Sequence, residues 1–260
     1  MRLDGKVAIV TGAGRGIGRG IARRFASEGA AVLATARTEE ELDRTTAWIS
    51  KRGGRTASVV ADVSHEGDCE RIVEEARARF GPIDILLNNA GIFGPVRPAE
   101  EISPEEFDEV IAINLRGPFL LCRLVLPEMY ERGSGVILNI SSIGGKQAYP
   151  MGGAYGTSKA GMLGLTRSLA AEAAPRGVRV NAICPGPVTE TRMSQRLGQA
   201  LAERLGMDVE EQREGVLRGI LQGRAQTVDE IAAVALFLAS DAASAITAQA
   251  INVDGGIVYY

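Results

Sequence analysis

The 260-residue sequence has little of the residue types that several common chemistries need. Histidine occurs once, as His65, and the three cysteines, Cys69, Cys122 and Cys184, lie far apart. A Ser-His-Asp hydrolase requires a histidine, and His65 is expected on the solvated surface at the start of a helix. Neither His65 nor the cysteines are spaced as metal ligands or as a disulfide framework. The sequence therefore predicts no metal site and a reducing, cytoplasmic environment.

Aromatic side chains, charge of one sign and long apolar runs are also scarce. Aromatic residues make up 5% of the chain and the formal net charge is −3 at pH 7. Neither a base-stacking platform nor a basic surface for nucleic acid is expected. The longest purely apolar run, 231–239, is about half of what a membrane span needs, and residues 1–6 lack the character of a leader segment. We expect a soluble protein with neither nucleic acid nor a membrane among its partners.

The sequence does contain a regular alternation of short β-branched runs and longer stretches of helical periodicity. The predicted strands are 7–10, 31–36, 56–61, 83–87, 136–140, 178–183 and 250–253. Later helices are predicted at about 104–130, 155–174 and 228–239. Because the strands are hydrophobic throughout, they are typical of a parallel sheet covered on both faces. The predicted fold class is α/β, with a doubly wound, seven-stranded parallel sheet and helices on both faces.

A single domain is expected over 1–260, since no linker, repeat or low-complexity tract divides the chain. One long irregular stretch covers 185–223. Within it, residues from about 187 to 223 have the amphipathic pattern of two helices, which predicts a lid over a substrate site. The same apolar residues could instead pack into the body of the domain or into a subunit interface.

A glycine-rich loop follows the first predicted strand and leads into a helix. Over residues 11–18 it reads Thr-Gly-Ala-Gly-Arg-Gly-Ile-Gly and includes Gly12, Gly16, Ile17 and Gly18. Glycines allow the backbone to turn sharply and approach a pyrophosphate, whose charge is met by the amides at the helix N-terminus. With a strand before it and a helix after it, the loop predicts a dinucleotide site.

Several motifs in a fixed order resemble the short-chain dehydrogenase/reductase family. They are the glycine loop, Asn88-Asn89-Ala90-Gly91 after the fourth strand, Asn114, Ser142, Tyr155-x-x-x-Lys159, Pro185-Gly186 and Asp254-Gly255-Gly256. The resemblance covers essentially the whole chain. It implies a Rossmann fold and an NAD(P)-dependent oxidoreductase that acts on CH–OH groups, similar to 3-oxoacyl-(acyl-carrier-protein) reductases and polyol dehydrogenases.

The resemblance also implies cofactor contacts beyond the glycine loop. Asp62 and Val63 resemble the pair that contacts the adenine, and Pro185, Gly186 and Val188 would lie against the nicotinamide carboxamide. The implied set further includes Asn89, Ala90, Gly91, Tyr155 and Lys159. A threonine that is common in the family is replaced by glutamate at position 190, and either neighbouring threonine, at 189 or 191, could take its place.

The end of the second strand bears on which nicotinamide is bound. In dinucleotide sites an acid about twenty residues past the glycines holds the ribose 2′-hydroxyl of NAD, whereas arginine accommodates the 2′-phosphate of NADP. Here Ala36 occupies the position of the acid, and Arg15 and Arg37 could clasp a phosphate. The acids at 39–41 are interpreted as part of a capping box that begins at Thr38. NADP(H) is favoured, and NAD(H) remains possible.

Tyr155 and Lys159 lie four residues apart at the start of a predicted helix, so their side chains share one face. Hydride transfer between an alcohol and a ketone needs a group that exchanges the oxygen's proton, and a nearby ammonium is expected to lower the pKa of Tyr155 toward neutrality. Ser142 is expected to donate a hydrogen bond to the substrate oxygen, whereas Ser141 is expected to cap a turn. The resemblance implies that Asn114 anchors a proton-relay water at a local distortion of its helix.

The predicted function is hydride transfer between NADP(H) and a ketone or secondary alcohol, of the carbonyl reductase or 3-oxoacyl reductase type. The alternative among enzymes is an NAD-dependent polyol, sugar or diketone dehydrogenase, of which the long lid is more typical. A non-catalytic NADP-binding sensor is the alternative of another class, although a sensor has no use for a complete proton relay. The family commonly forms tetramers, and the apolar C-terminal residues 257–260 suit burial in a homotetramer interface or on their own subunit.

Overall fold

The computed structural model describes residues 2–259, which contain seven strands in one sheet. In chain order the strands are β1 (Val7–Thr11), β2 (Ala31–Ala36), β3 (Thr56–Val60), β4 (Ile85–Asn88), β5 (Gly135–Ile140), β6 (Val178–Pro185) and β7 (Ala250–Val253). They lie in the order β3-β2-β1-β4-β5-β6-β7, and all neighbours are parallel. The order reverses between β1 and β4, and in such sheets ligands bind outside the carboxyl ends of the strands at this point.

The same residues contain nine α-helices. They are α1 (Gly16–Ser27), α2 (Glu39–Ser50), α3 (Glu66–Phe80), α4 (Pro104–Ile111), α5 (Gly117–Arg132), α6 (Gly153–Ala173), α7 (Arg192–Leu205), α8 (Val209–Arg218) and α9 (Val228–Ala239). A π-helical segment, Ala112–Arg116, joins α4 to α5 in one helical run. This arrangement confirms the doubly wound α/β fold that the sequence predicts.

Alternate residues of a strand enter apolar layers on opposite faces of the sheet. Ala8 and Val10 of β1 share one layer with Phe25 of α1, whereas Ile9 shares the other with Ile72 of α3. Both faces of β1 are therefore covered, which explains why its sequence is hydrophobic throughout. Each fully buried side chain of this kind contributes roughly 1.5–3 kcal/mol, so the two layers fix the sheet edge that carries the site.

The predicted elements are present, with bounds that differ by a few residues. The fourth strand begins at Ile85 rather than at residue 83, and α6 begins at Gly153 rather than at 155. The distortion expected at Asn114 is present as the π-helical segment. The segment 187–223 contains two helices as predicted, α7 and α8, which pack against each other.

The capping box predicted at Thr38 is wrong. Thr38 is the N-cap residue of α2, but its side chain makes no cap hydrogen bond. The carboxylate of Glu41 lies instead 3.1 Å from Arg15 and 3.2 Å from Arg192. Attraction to two guanidinium groups outweighs a local hydrogen bond, and a four-residue pattern carries no information about partners so distant in sequence.

The end of the chain divides between burial and exposure. Val258 is buried, and its amide donates to a carboxylate oxygen of Asp254 at 2.9 Å. Tyr259 is exposed, and Tyr260 lies outside the described residues. Val258 therefore packs on its own subunit.

The helical run Pro104–Arg132 is long and apolar enough to cross a membrane by length and composition alone. Of its most apolar stretch, 56% is buried inside the protein. Leu121 and Val125 from this run pack in the same apolar layer as Ile9 of β1. Its apolar character is thus explained by the core that it helps to form.

Candidate active site

A cleft of about 690 Å³ lies at the carboxyl edge of the sheet, beside the reversal between β1 and β4. Ten residues that the sequence predicts as cofactor contacts line this cleft: Gly12, Arg15, Gly16, Ile17, Arg37, Asp62, Val63, Asn89, Ala90 and Gly91. The fold thus brings together loops that follow four different strands.

Glycines hold the loop after β1 tightly against the loop after β4. Gly12 has a φ of +64°, and a Cβ atom there would lie 2.6 Å from Nδ2 of Asn89. A Cβ atom on Gly18 would lie 2.3 Å from the same nitrogen. A side chain at either position would push the two loops apart, so both positions need glycine.

Thr11 and Asn89 lock these two loops together. The Thr11 hydroxyl oxygen accepts hydrogen bonds from the backbone amides of Asn89 and Ala90, both at 2.9 Å. The side-chain nitrogen of Asn89 donates to the backbone oxygen of Thr11 at 2.9 Å and to that of Gly12 at 3.3 Å. Asn89 therefore holds the glycine loop in shape, which the sequence motif does not reveal.

Helix α1 presents its N-terminus to the cleft. It begins at Gly16, a lining residue, and the side chain of its N-cap residue Arg15 makes no cap hydrogen bond. The backbone amides of the first turn are thus available to donate hydrogen bonds to a ligand, and the helix dipole favours an anion at this end of the helix. Together with the close-packed glycines, this geometry fits the diphosphate of a dinucleotide.

The arginines predicted to recognise phosphate each lie beside a carboxylate. Nη1 of Arg15 is 3.1 Å from Glu41, and Nη1 of Arg37 is 3.5 Å from Asp62. Burial would raise the pKa of Asp62, but hydrogen bonds from Ser64 and the charge of Arg37 outweigh it, so this pKa is lowered. Asp62 is thus ionised at neutral pH and can accept hydrogen bonds from a ligand.

The four predicted catalytic residues lie next to the cleft rather than along its open wall. A Cβ atom on Gly91, which lines the cleft, would lie 3.1 Å from Oδ1 of Asn114 and 3.6 Å from Nζ of Lys159. Tyr155, Lys159, Ser142 and Asn114 are all buried. The structure therefore brings together residues from the turn after β5, from α6 and from the π-helical segment.

The Asn114 side chain clamps the backbone beside Gly91. Its oxygen accepts from the amide of Ile92 at 2.8 Å, and its nitrogen donates to the Ile92 carbonyl at 2.8 Å and to Ser158 at 3.0 Å. Pro118 lacks the amide hydrogen that an α-helix would donate to the Asn114 carbonyl. The missing donor is a physical reason for the π-helical distortion at this position.

Lys159 is held from the side of the sheet. Its Nζ atom donates to the carbonyl oxygen of Ile140, the last residue of β5, at 2.8 Å. Burial lowers the pKa of Lys159 to about 8, because a charged ammonium is poorly solvated there. At neutral pH most molecules still carry the ammonium charge.

The expected lowering of the pKa of Tyr155 is not observed. Burial raises this pKa to about 12, and a hydrogen bond with Ser142 offsets only part of the effect. Nζ of Lys159 lies 5.6 Å from the centre of the Tyr155 ring. The spacing of the two residues predicts that the Lys159 ammonium lies near the Tyr155 hydroxyl. The burial that raises the pKa of Tyr155 depends on the tertiary structure, which the spacing does not reveal.

The turn cap that the sequence predicts for Ser141 is made by Ser142 instead. The Ser142 oxygen accepts from the amide of Gly144 at 3.0 Å and thus caps a short 3-10 turn, Ile143–Gly145. Ser141 instead donates to the backbone oxygen of Lys159 at 2.9 Å. Ser142 still contacts Tyr155, so the turn positions its hydroxyl in the cluster.

An aromatic cluster covers Tyr155, and sequence reasoning missed it. Phe93 lines the cleft, and its ring stacks on that of Tyr155 with centroids 4.7 Å apart and an interplanar angle of 25°. Tyr149 contacts both rings, at 5.6 Å from Phe93 and 5.9 Å from Tyr155. Phe93 follows the Asn-Asn-Ala-Gly motif by two residues, but no local pattern indicates that its ring would reach Tyr155.

The residues after β6 divide into a packed group and a cleft-lining group. The predicted contacts Pro185 and Val188 are buried and, with Gly186, are not among the described cleft-lining residues. The Glu190 carboxylate accepts a hydrogen bond from the first amide of α9, so it has a structural partner. Thr191 lines the cleft, and a Cβ atom on Gly16 would lie 3.4 Å from its Cγ2 atom. Of the two threonines, Thr191 is therefore the one whose side chain lies at the cleft.

Helix α7 adds a wall that the sequence motifs do not include. Its residues Arg192, Met193, Arg196, Leu197 and Ala200 line the cleft. Within 2–259, no group of three His, Cys, Asp or Glu side chains is placed to hold a metal ion. The chemistry of the described donors is that of an anion-binding, dinucleotide-shaped site beside a buried phenol and ammonium.

Comparisons with known proteins agree with this geometry. Residues 12–258 match the family model described as enoyl-(acyl carrier protein) reductase. The chain is 39% identical over 260 residues to the 3-oxoacyl-(acyl-carrier-protein) reductase FabG of Thermotoga maritima, covering 99% of this chain and 100% of that protein.

Solved structures show the same likeness. The fold is similar to that of an actinorhodin polyketide ketoreductase variant solved with NADPH, with a TM-score of 0.94, 38% identity and 98% of each chain covered. It is equally similar to NAD+-bound xylitol dehydrogenase, with a TM-score of 0.95, 32% identity and 98% and 100% of the two chains covered. The chain belongs to the short-chain dehydrogenase/reductase family and is an NAD(P)-dependent oxidoreductase.

Proposed function

We propose that the protein transfers a hydride between NADP(H) and a ketone or secondary alcohol, with Tyr155 as general acid and base. The observation that carries this proposal is the buried cluster of Tyr155, Ser142 and Lys159 beside Gly91 of the cleft. The nicotinamide, when bound, supplies or takes the hydride at the substrate carbon. In reduction, the Tyr155 hydroxyl gives its proton to the carbonyl oxygen, and the product is a secondary alcohol.

The protonation states of the pair suit reduction. With its pKa raised to about 12, Tyr155 is protonated at neutral pH and can act as the acid. The phenolate that remains lies near the Lys159 ammonium, 5.6 Å from the ring centre. A nearby positive charge favours the phenolate over the neutral phenol. Lys159 thus supports the proton transfer through its charge.

Ser142 is suited to polarise the carbonyl. One lone pair of its oxygen accepts the Gly144 amide, so its hydroxyl proton is directed away from the turn. That proton can be donated to the substrate oxygen as negative charge develops.

For Asn114 we propose the role that the family resemblance implies, which is to anchor a proton-relay water. The water would bind the backbone carbonyl of Asn114, because Pro118 has no amide hydrogen to donate to this carbonyl as in an α-helix.

The charge of the cleft favours NADP(H). Five arginines and two carboxylates line it: Arg15, Arg37, Arg97, Arg192, Arg196, Glu41 and Asp62. A 2′-phosphate adds negative charge to this excess of cations. We expect Arg37→Ala to weaken NADPH binding about tenfold and NADH binding little, as measured by the quenching of protein fluorescence. Equal effects on the two cofactors would contradict the preference.

The apolar part of the cleft favours an apolar ketone or an oxoacyl group as substrate. Besides Phe93, the apolar lining residues include Ile92, Pro95, Val96, Met193 and Leu197. These side chains offer no hydrogen bonds to the hydroxyl groups of a sugar, and burying such groups without partners is costly. The second candidate is an NAD-dependent polyol, sugar or diketone dehydrogenase, favoured by Glu41, which could accept the ribose hydroxyls of NAD(H).

The central test is Tyr155→Phe. This substitution removes one hydroxyl from a buried ring, so we expect NADPH affinity to stay within about twofold and turnover to fall at least about a thousandfold. Turnover would be followed as NADPH oxidation with aryl ketones, diketones, keto sugars and oxoacyl thioesters, with NADH in parallel. Retained turnover in the variant would refute the role of Tyr155, and preference for keto sugars with NADH would favour the second candidate.

The lid, the assembly and the cellular location complete the proposal. We propose that α7 and α8, within 187–223, form a lid, since α7 lines one wall of the cleft. We propose a homotetramer, because an apolar groove that includes Phe119 lies exposed between the helical run 104–132 and α6. A reducing, cytoplasmic location is consistent with three free, buried cysteines.

A further inference from the structure

The first residue of helix α7 forms an ion pair with the first turn of α2, which also borders the cleft. Nη2 of Arg192 lies 3.2 Å from Oε1 of Glu41. The same carboxylate lies 3.1 Å from Nη1 of Arg15, which measures 3.1 Å to each of its oxygens. A single carboxylate on α2 is thus held between a guanidinium of the glycine loop and one of α7.

Glu41 lies beside the position that distinguishes the ribose 2′-hydroxyl from a 2′-phosphate. A Cβ atom on Gly14 would lie 2.9 Å from Cβ of Glu41 and 3.5 Å from Cβ of Ala36. Position 36 ends β2, where dinucleotide sites distinguish a 2′-hydroxyl from a 2′-phosphate. The Glu41 side chain is only 13% exposed, so its charge is turned into the cleft rather than toward bulk solvent.

The two guanidinium groups that hold the Glu41 carboxylate could also bind a phosphate. Both anions accept paired N–H donors from arginine, and a phosphate carries more charge and more acceptor oxygens. With five arginines and two carboxylates lining the cleft, a bound 2′-phosphate can replace Glu41 as the partner of Arg15 and Arg192. A cofactor without that phosphate leaves the Glu41 contacts in place.

We infer that Arg192 is a specificity-determining residue for 2′-phosphorylated cofactors, and that the Glu41 carboxylate competes with the phosphate for it. This inference rests on the proposed preference for NADP(H). It assigns to helix α7 a part in cofactor selection besides covering the substrate. Binding of the 2′-phosphate then ties the N-terminus of α7 to the glycine loop, so α7 is held more firmly by NADP(H) than by NAD(H).

Adenosine 2′,5′-bisphosphate and adenosine 5′-monophosphate test this inference, because they differ only in the 2′-phosphate and carry no nicotinamide. Calorimetric titration of Arg192→Gln should show binding of the bisphosphate weakened roughly tenfold and that of the monophosphate unchanged within about twofold. Glu41→Gln should tighten the bisphosphate, since the competing charge is gone. Arg213→Gln removes the same charge on α8, where Arg213 pairs with Glu210, and should change neither.

Hydrogen exchange of the α7 amides supplies a second measurement. The bisphosphate should protect residues 192–205 more than the monophosphate does, and Arg192→Gln should abolish the difference. If the wild-type protein binds both nucleotides equally, the proposed NADP(H) preference fails. If it prefers the bisphosphate and Arg192→Gln keeps the full preference and protection, only the role of Arg192 is overturned. Equal weakening of both nucleotides in Arg192→Gln would also overturn it, because that result indicates a structural role.

Discussion

At the scale of single residues, burial has opposite consequences for the two titrating groups of the site. It raises the pKa of Tyr155 to about 12 and lowers that of Lys159 to about 8, so both neutral forms are favoured. The protein therefore holds a proton donor and an easily discharged ammonium side by side. The Lys159 ammonium can therefore stabilise a Tyr155 phenolate that forms during the reaction, although Tyr155 is protonated in the resting protein.

The depressed pKa of Lys159 predicts a pH dependence of stability. Between about pH 8 and pH 10.5 the unfolded chain binds a proton on this lysine that the folded chain lacks, so the free energy of unfolding rises with pH. The gain approaches about 3 kcal/mol over that interval. Lys159→Met lacks the titrating group, so the wild-type protein should gain this amount relative to the variant.

Urea denaturation of both proteins at several pH values from 7 to 10 measures the difference. Other groups titrate in both proteins and cancel when the variant is subtracted. A difference that stays constant with pH would show that Lys159 keeps an ordinary pKa in the folded chain.

Residue patterns predicted which side chains meet at the site better than they predicted the state of those side chains. Tyr155 and Lys159 share a face because they lie four apart on α6, which spacing alone determines. The burial that sets the pKa of Tyr155 arises from Phe93 and Tyr149, which approach from other loops. Likewise, the ion pairs of Glu41 replace the predicted capping box because their arginines are remote in sequence.

At the scale of elements, the π-helical segment between α4 and α5 positions the site from outside the sheet. Asn114 in this segment holds both backbone groups of Ile92, the residue that precedes Phe93. Straightening the helix would move this amide away from the loop. The predicted strands and helices could be read from periodicity, and the distortion could be read from Asn114 and Pro118, because each feature depends on neighbours in sequence.

Asn114→Ala is expected to reduce both stability and turnover. The substitution leaves the partly buried amide and carbonyl of Ile92 without their side-chain partner, which costs roughly 1–3 kcal/mol in the free energy of unfolding. The loop that carries Gly91 and Phe93 then loses its anchor beside Lys159. We therefore expect kcat, measured under conditions where the variant is folded, to fall at least about tenfold.

Asn181→Ala is a matched control for this prediction. Asn181 is also buried, and it bonds the carbonyl of Ile246 at 2.8 Å and the amide of Gln249 at 3.0 Å, outside the active site. It should lose a comparable amount of stability without a change in kcat. Unchanged kcat in Asn114→Ala as well would restrict Asn114 to a structural role.

At the scale of the whole molecule, one apolar surface lies on the same helical run as Asn114. Ile111, Leu115, Phe119 and Leu165 line an open groove between α5 and α6, and 46% of Phe119 is exposed. Exposed apolar patches of this kind mark sites of association. A second copy of the chain seated on this groove would cover it and would brace the helical run that positions Asn114.

Phe119→Glu is therefore expected to dissociate the proposed homotetramer into smaller species and to lower the turnover per chain. A glutamate at the centre of an apolar interface is buried without a partner, which costs several kcal/mol in each copy. Size-exclusion chromatography with light scattering measures the molar mass, and Val209→Glu on α8, where 47% of the native side chain is exposed, is the control. A Phe119→Glu protein of unchanged mass would place the interface elsewhere. If the Phe119→Glu protein is smaller but keeps full turnover, assembly is not needed to position Asn114, and a single chain maintains the active site by itself.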